Sequence, residues 1–229
     1  MRNAAIIVAG GTGMRMEAGI PKQFLLLNKR PLLSYSIEAF SQVKPDLDIY
    51  LVMHPDFKEA WKDLCLNYRI EFPCFLVDGG ENRTESVFNG LKAIALRNID
   101  SPPEFIAIHD GVRPIIRPLW IEMGFKDAQL HGSSIPCIPL KDSLRILTNN
   151  GSQSVNRELY KIVQTPQIFP FKELYQAYLR RKKESYSDDA TLFEDFDHSI
   201  YLSSGHQENL KITYPSDLGM AEFLLNRKD

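Results

Sequence analysis

The sequence predicts a doubly wound, mostly parallel α/β sheet of Rossmann-like type, with a protruding β-hairpin arm. Three observations point there. Short β-branched runs alternate with amphipathic stretches along most of the chain. A glycine-rich turn directly follows the first apolar run. The length of 229 residues suits one α/β domain spanning 1–229 better than two small ones, and allows a sizeable core.

The strands are read at Ala4–Val8, Ile49–Met53, Cys74–Val77, Phe105–Ile108 and Ser134–Ile138. Helices are read between them at Leu32–Phe40, Phe57–Leu66, Arg83–Ala95 and Trp120–Leu130. Their apolar residues recur at steps of three and four, as in Val87, Leu91, Ile94 and Ala95. Asn82 with Glu85 three residues on forms an N-terminal cap signal. The pattern changes after residue 139. A polar stretch with a turn at Asn149–Asn150–Gly151 separates Leu144–Leu147 from Lys161–Val163, which are expected to pair as an arm over about 139–164. Such an arm buries little by itself and is expected to pack on another chain. Further helices are read near Pro170–Arg181, Asp188–Phe196 and Pro215–Asn226, the last opened by a proline suited to a first helical turn.

In a sheet of this kind ligands sit at the carboxyl ends of the strands. Those ends carry Gly10–Arg15, Asp78–Arg83 and His109–Arg113, three polar clusters on one edge. The first reads A-G-G-T-G-M-R-M-E-A-G-I-P-K-Q-F over Ala9–Phe24. It is not a dinucleotide fingerprint, because Met16 stands where the third glycine belongs. It is not a P-loop either, because no glycine precedes Lys and then Ser or Thr. A turn that brings backbone N–H groups together with Arg15 and Lys22 suits a phosphate chain, and predicts chemistry at phosphorus.

Composition excludes several other classes. A net charge of −2 gives no general nucleic-acid footprint, and the run Arg180–Lys183 is read as a solvated helix end. No apolar stretch approaches the roughly 20 residues of a membrane span. Cys65, Cys74 and Cys137 have unrelated spacings and read as reduced, core-packed thiols of a cytoplasmic protein. The five histidines show no metal-ligand spacing.

Seven blocks in order carry a resemblance: A-G-G-T-G-M-R-M, P-K-Q-F, D-G-G-E-N-R-T-E-S-V-F-N-G-L, H-D-G-V-R-P, Q-T-P-Q-I-F, S-D-D-A and N-L-K-I-T-Y-P-S-D-L. From about Ala4 to Leu218 the chain resembles the 2-C-methyl-D-erythritol 4-phosphate cytidylyltransferases of the non-mevalonate isoprenoid pathway. The resemblance implies a homodimeric nucleotidyltransferase. Such an enzyme couples CTP to a polyol phosphate, releases pyrophosphate and uses magnesium held chiefly by the CTP phosphates, with no metal ligands assigned to the protein. No nucleic acid or membrane partner is implied.

Residue by residue, the resemblance implies that Arg15, Lys22 and Lys211 are the catalytic cations. The backbone of Gly10, Gly11, Thr12 and Gly13 would cradle the phosphates. Gly80, Glu81 and Ser86, with the backbone around Ala9, would read the cytosine. Asp110, Gly111 and Arg113 would surround nucleotide and acceptor, with Asp110 on hydroxyls. Arg157, in the family contributed by the partner subunit, and Ser143 and Thr165 would serve the acceptor phosphate. Arg83 suits either base reading or fixing of its loop. His109 reads as a structural histidine. Ser143 stands where the family has threonine, and Gly10 and Gly111 stand where some members have alanine. A ribitol-5-phosphate cytidylyltransferase shares this chemistry, and a non-catalytic nucleotide-binding module is the reading from another class. Intact Arg15, Lys22 and Lys211 argue against the latter.

Overall fold

The computed structural model describes residues 2–10, 21–45, 47–71 and 73–227. The central sheet grows outward from its first strand. β1 (Ala4–Val8) is followed by two short strands, β2 (Leu26–Leu27) and β3 (Arg30–Pro31), and by helix α1 (Leu32–Ser41). Then come β4 (Asp48–Met53), α2 (Lys58–Tyr68), β5 (Phe75–Asp78), α3 (Arg83–Arg97) and β6 (Phe105–Asp110). β4 and β6 flank β1 in parallel, and β5 adds in parallel to β4. The chain therefore moves out to one side through β4 and β5, and α3 carries it back across β1 to β6. The strand order reverses between β1 and β6, which is where doubly wound sheets place their ligands.

Both faces of the sheet are covered, so its strands read as continuous apolar runs. Successive residues of β1 enter opposite cores, as the two-residue strand period requires. Ala5 and Ile7 pack with Leu33, Ile37 and Phe40 of α1 and Trp61 of α2. Ala4 and Ile6 pack with Val87, Leu91 and Ile94 of α3. Asn82 caps α3 as expected, its side chain accepting from the Glu85 N–H at 2.9 Å.

The second half closes the edges. Helix α4 (Pro118–His131) ends at Gly132, whose φ of +86° suits glycine. β7 (Ile135–Pro139) leaves the central sheet, contrary to the expectation that it would join the doubly wound array. It forms the middle of a three-stranded sheet with β10 (Lys161–Val163) and β12 (Leu202–Ser204). Between β7 and β10 stands the arm, β8 (Leu144–Thr148) and β9 (Gly151–Val155). The turn at Asn149–Asn150 falls where expected, but the pairing differs. Leu144 lies opposite Val155, and Lys161–Val163 pairs with Pro139–Cys137 instead. A hairpin closed by a two-residue loop fixes its register locally, so β8 takes the nearest strand. β11 (Gln167–Pro170) is the antiparallel edge of the central sheet beside β6.

Helices α5 (Phe171–Leu179), α6 (Asp189–Glu194) and α7 (Pro215–Asn226) complete the chain. The Asp217 carboxylate accepts from the N–H groups of Thr213 and Tyr214, each at 2.8 Å, and closes the start of α7. The three cysteines are free and only half-buried, at the margin of the core rather than inside it as expected. Among the described residues no helix is long and apolar enough to cross a membrane.

Candidate active site

Three loops leave the carboxyl ends of β1, β5 and β6, and each is pinned to the next strand. Ala9 donates to the Val52 carbonyl at 2.7 Å, Gly79 to Met53 at 2.7 Å and Gly111 to Val8 at 2.9 Å. The predicted clusters at Gly10, Asp78–Arg83 and His109–Arg113 therefore lie together. Of these, Gly10, residues 80–83, Asp110 and Val112 line a hollow of about 290 Å³ with Lys22 and Lys211, and Gly111 does not reach it. Gly11, Thr12, Gly13 and Arg15 lie outside the described residues.

The loop after β5 is shaped from within. The Gly80 N–H donates to the Ser86 hydroxyl at 3.0 Å, and that hydroxyl donates to the Asn82 carbonyl at 2.8 Å. The Glu81 N–H donates to the Glu85 carboxylate at 2.8 Å. Ser86 thus holds the loop, and its hydroxyl is already engaged on both sides. The Ala9 carbonyl accepts from Gln23 Nε2 at 2.7 Å. A methyl group at Gly111 would stand 2.7 Å from Leu33 Cδ1 and 3.1 Å from the Val8 carbonyl. In this chain Leu33 fills the space that an alanine there would need.

Asp110, at the end of β6, is the hub. One carboxylate oxygen accepts from Arg83 Nε at 3.1 Å and the other from Lys211 Nζ at 2.7 Å. Burial opposes its charge, but Arg83 and then Lys211 outweigh that and hold the carboxyl well below the usual range. Arg83 also donates from Nη2 to Asp189 at 2.7 Å. Arg83 thus links Asp110 to Asp189 while also lining the hollow, and both roles expected of it stay open. The segment carrying Lys211 is tied to the loop after β6 at two further points. Arg113 Nη1 donates to the Asn209 carbonyl at 2.8 Å, and the Ile212 N–H donates to Val112 at 2.9 Å. Lys22 Nζ donates to the Ile212 carbonyl at 3.2 Å, so the two predicted cations meet at one corner although 189 positions separate them.

A second hollow adjoins the first, lined by Arg113, Thr165, Gln167, Ser187, Asp188 and Thr191. Arg83, Asp110 and Lys211 line both. Arg113 is buried there, and its Nε has no hydrogen-bond partner among the described residues. The Thr165 hydroxyl accepts from the Asp110 N–H at 3.1 Å and lies 3.1 Å from His109 Nδ1. Ser143 and Arg157 stand on the exposed arm and line neither hollow of their own chain. Arg157 Nη1 donates to the Lys141 carbonyl.

His109 is fully enclosed. The hydroxyl proton of Thr165 leaves Nδ1 as the acceptor, so Nε2 carries the hydrogen and donates to the Arg113 carbonyl at 3.2 Å. Burial is the main cause that lowers its pKa to about 4. The unfolded chain takes up this proton near pH 6.5 while the fold resists it down to about 4. The associated stability is complete above pH 6.5 and is lost as pH falls through that window. Between pH 7 and pH 5 about 2 kcal/mol should go. Denaturant melts at the two pH values should show that loss shrinking by a similar amount in His109→Gln. An equal loss in both proteins removes the assignment.

Sequence reasoning assigned no role to Asp189, Gln167 or Asn209. Gln167 Oε1 accepts from the N–H groups of Asp189 and Ala190 at 3.1 and 3.0 Å, and Asn209 Nδ2 donates to the Thr165 carbonyl at 2.9 Å. All three residues stand inside quoted blocks, which was the available signal.

A doubly wound sheet with Lys22 and Lys211 at the carboxyl ends of its strands, and Lys211 lining both hollows, defines a nucleotidyltransferase. The sequence profile of the 2-C-methyl-D-erythritol 4-phosphate cytidylyltransferase family matches residues 3–227, and the chain belongs to that family. Proteins of this name from Bacteroides thetaiotaomicron and Azobacteroides pseudotrichonymphae are 38% and 40% identical. Their alignments cover 98% and 96% of this chain and 100% and 97% of theirs. Among solved structures, 4-diphosphocytidyl-2C-methyl-D-erythritol synthase from Anaerococcus prevotii superposes with a TM-score of 0.83 at 29% identity, covering 99% of this chain and 96% of that one. The cytidylyltransferase from Thermus thermophilus gives 0.77 at 28%, covering 99% and 100%.

Proposed function

We propose that the chain transfers the cytidylyl group of CTP to 2-C-methyl-D-erythritol 4-phosphate in isoprenoid biosynthesis. A phosphate oxygen of the acceptor attacks the α-phosphorus, the bond to the β-phosphate bridge breaks, and pyrophosphate leaves. The observation that carries the reading is the junction itself. Lys211 and Asp110 belong to both hollows, so CTP in one and the acceptor in the other would bring the α-phosphorus beside Lys211.

In this reading Lys22 and Lys211, with Arg15, neutralise charge that grows on the phosphoryl oxygens and the leaving group. The phosphate nucleophile is already ionised at neutral pH, so no shifted acid or base is needed. Gly10 and the turn after it hold the phosphates, while Ala9, Gly80 and Glu81 border the base and Ser86 keeps that border in shape. Asp110 meets hydroxyls. Arg113 faces the acceptor, with Thr165 setting the floor beneath it.

Among the described residues no group of three His, Cys, Asp or Glu side chains is placed to hold a metal ion. Asp110 is the carboxylate at the junction, and two cations already hold it. That donor set suits a magnesium carried by the triphosphate, which usually keeps water and phosphate ligands. When bound, it supplies further neutralisation of the phosphates.

The arm is assigned to a second copy of the chain. It exposes Ile146, Leu147 and Leu159 and cannot bury them itself. We place the protein in the cytoplasm, where free thiols persist. The acceptor is tested by pyrophosphate release. With CTP, 2-C-methyl-D-erythritol 4-phosphate should support release at least about 100-fold better in kcat/KM than ribitol 5-phosphate. The opposite preference overturns the acceptor, and silence with both overturns the activity.

A further inference from the structure

We propose that Asp189 is a positioning residue for the transfer, acting through Arg83 on the Asp110–Lys211 pair. The inference rests on the reading that Lys211, held by Asp110, serves the reacting phosphates. Asp189 is completely buried and lines neither hollow. It sits at the start of α6, where Gln167 fixes its backbone and Asp188 caps the helix by accepting from the Thr191 N–H at 3.0 Å. One carboxylate oxygen accepts from the Tyr178 hydroxyl and the other from Arg83 Nη2.

Arg83 is consequently shared. Its Nη2 edge is held by Asp189 and its Nε reaches Asp110, while Lys211 takes the other oxygen of Asp110. Along this bonded chain two carboxylates face two cations, and Arg113 adds a further cation beside Asp110. Without the Asp189 charge, Arg83 becomes an excess cation. It can turn wholly onto Asp110, compete with Lys211 there, or swing towards the triphosphate. In each case Lys211 loses its fixed starting position beside the α-phosphorus.

A stabilising role alone explains the arrangement poorly. A buried ion pair contributes little net stability, because desolvation offsets the attraction. What it supplies is a defined place for the guanidinium. The bonded path from Asp189 to Lys211 runs through two side chains, each held at both ends. Transfer rates are sensitive to misplacement on the scale such a chain can correct.

The test compares Asp189→Asn, Tyr178→Phe, Arg83→Gln, the double variant Arg83→Gln/Asp189→Asn, and Lys211→Met as the control on the underlying reading. Turnover is measured at saturating substrates, CTP affinity by calorimetry, and folding by thermal melts. Asp189→Asn should lose about tenfold or more in kcat with CTP affinity not weakened. Tyr178→Phe, which keeps the Asp189–Arg83 pair, should melt earlier but stay within about twofold of wild-type kcat. The double variant removes one charge of each sign and should lose no more than Arg83→Gln alone. Wild-type kcat in folded Asp189→Asn, or an equal loss in Tyr178→Phe, overturns the inference. Should Asp189→Asn not fold, a double variant that loses clearly more kcat than Arg83→Gln alone overturns it equally, because Asp189 would then act other than through Arg83. If Lys211→Met itself keeps turnover, the reading of the junction fails; if only Asp189→Asn keeps it, the positioning role alone fails.

Discussion

Lys22→Ala is expected to lower turnover about 100-fold, roughly 3 kcal/mol, while CTP affinity changes only a few-fold. The asymmetry follows from where charge moves. The triphosphate is already charged when it binds, and several backbone and side-chain groups share the task of holding it. On attack, charge concentrates on the oxygens of the α-phosphoryl group and the departing bridge. A cation that serves those atoms counts most in the transition state. Lys22 lines the first hollow and is held there by its bond to the Ile212 carbonyl, one residue beyond Lys211. Lys22 is half-buried and stands outside the apolar clusters, whereas Gln23 and Phe24 beside it are buried, so the variant should melt close to the wild type. Rapid-quench turnover with both substrates saturating is the decisive measurement. A near-normal rate there removes Lys22 from the catalytic set. Since Lys211 shares the corner, the double loss should fall short of the product of the single losses.

Local order explains which features were legible in the sequence. β1 runs from Ala4 to Val8 as read, and α7 spans Pro215–Asn226, because an unbroken apolar run and an opening proline are short-range signals. The convergence of the loops after β1, β5 and β6 followed from topology once the alternation was recognised. The partner of β8 was not legible. Alternating residues mark a strand without naming its neighbour, and Lys161–Val163 is as strand-like as Gly151–Val155. The Arg83–Asp189 pair was likewise hidden. Its members lie 106 positions apart, and S-D-D-A by itself does not say which aspartate turns inward. The same holds for Thr165, whose hydroxyl serves the Asp110 backbone and His109, a use that no spacing reveals. Long-range polar pairing is decided by packing, and neither residue type nor period encodes it.

Arg157→Ala should raise the apparent KM for the acceptor about 10- to 100-fold while leaving CTP binding nearly intact. That range corresponds to losing a charge-assisted hydrogen bond to a phosphate. Arg157 stands on the exposed arm, away from both hollows of its own subunit. If it serves an acceptor phosphate, the natural site is a partner's, and the exposed Ile146, Leu147 and Leu159 supply the surface by which a partner would be met. Mixing Lys22→Ala subunits with Arg157→Ala subunits then has a geometric consequence. In a heterodimer, the site with intact Lys22 faces an intact arm, and the other site carries both defects. With free exchange half the dimers are mixed, so about a quarter of all sites should regain wild-type composition. Activity at low acceptor concentration should rise accordingly above either parent, with subunit exchange established by tagged co-purification. Verified heterodimers no more active than the parents would return Arg157 to its own subunit or to a structural role, through its bond to the Lys141 carbonyl.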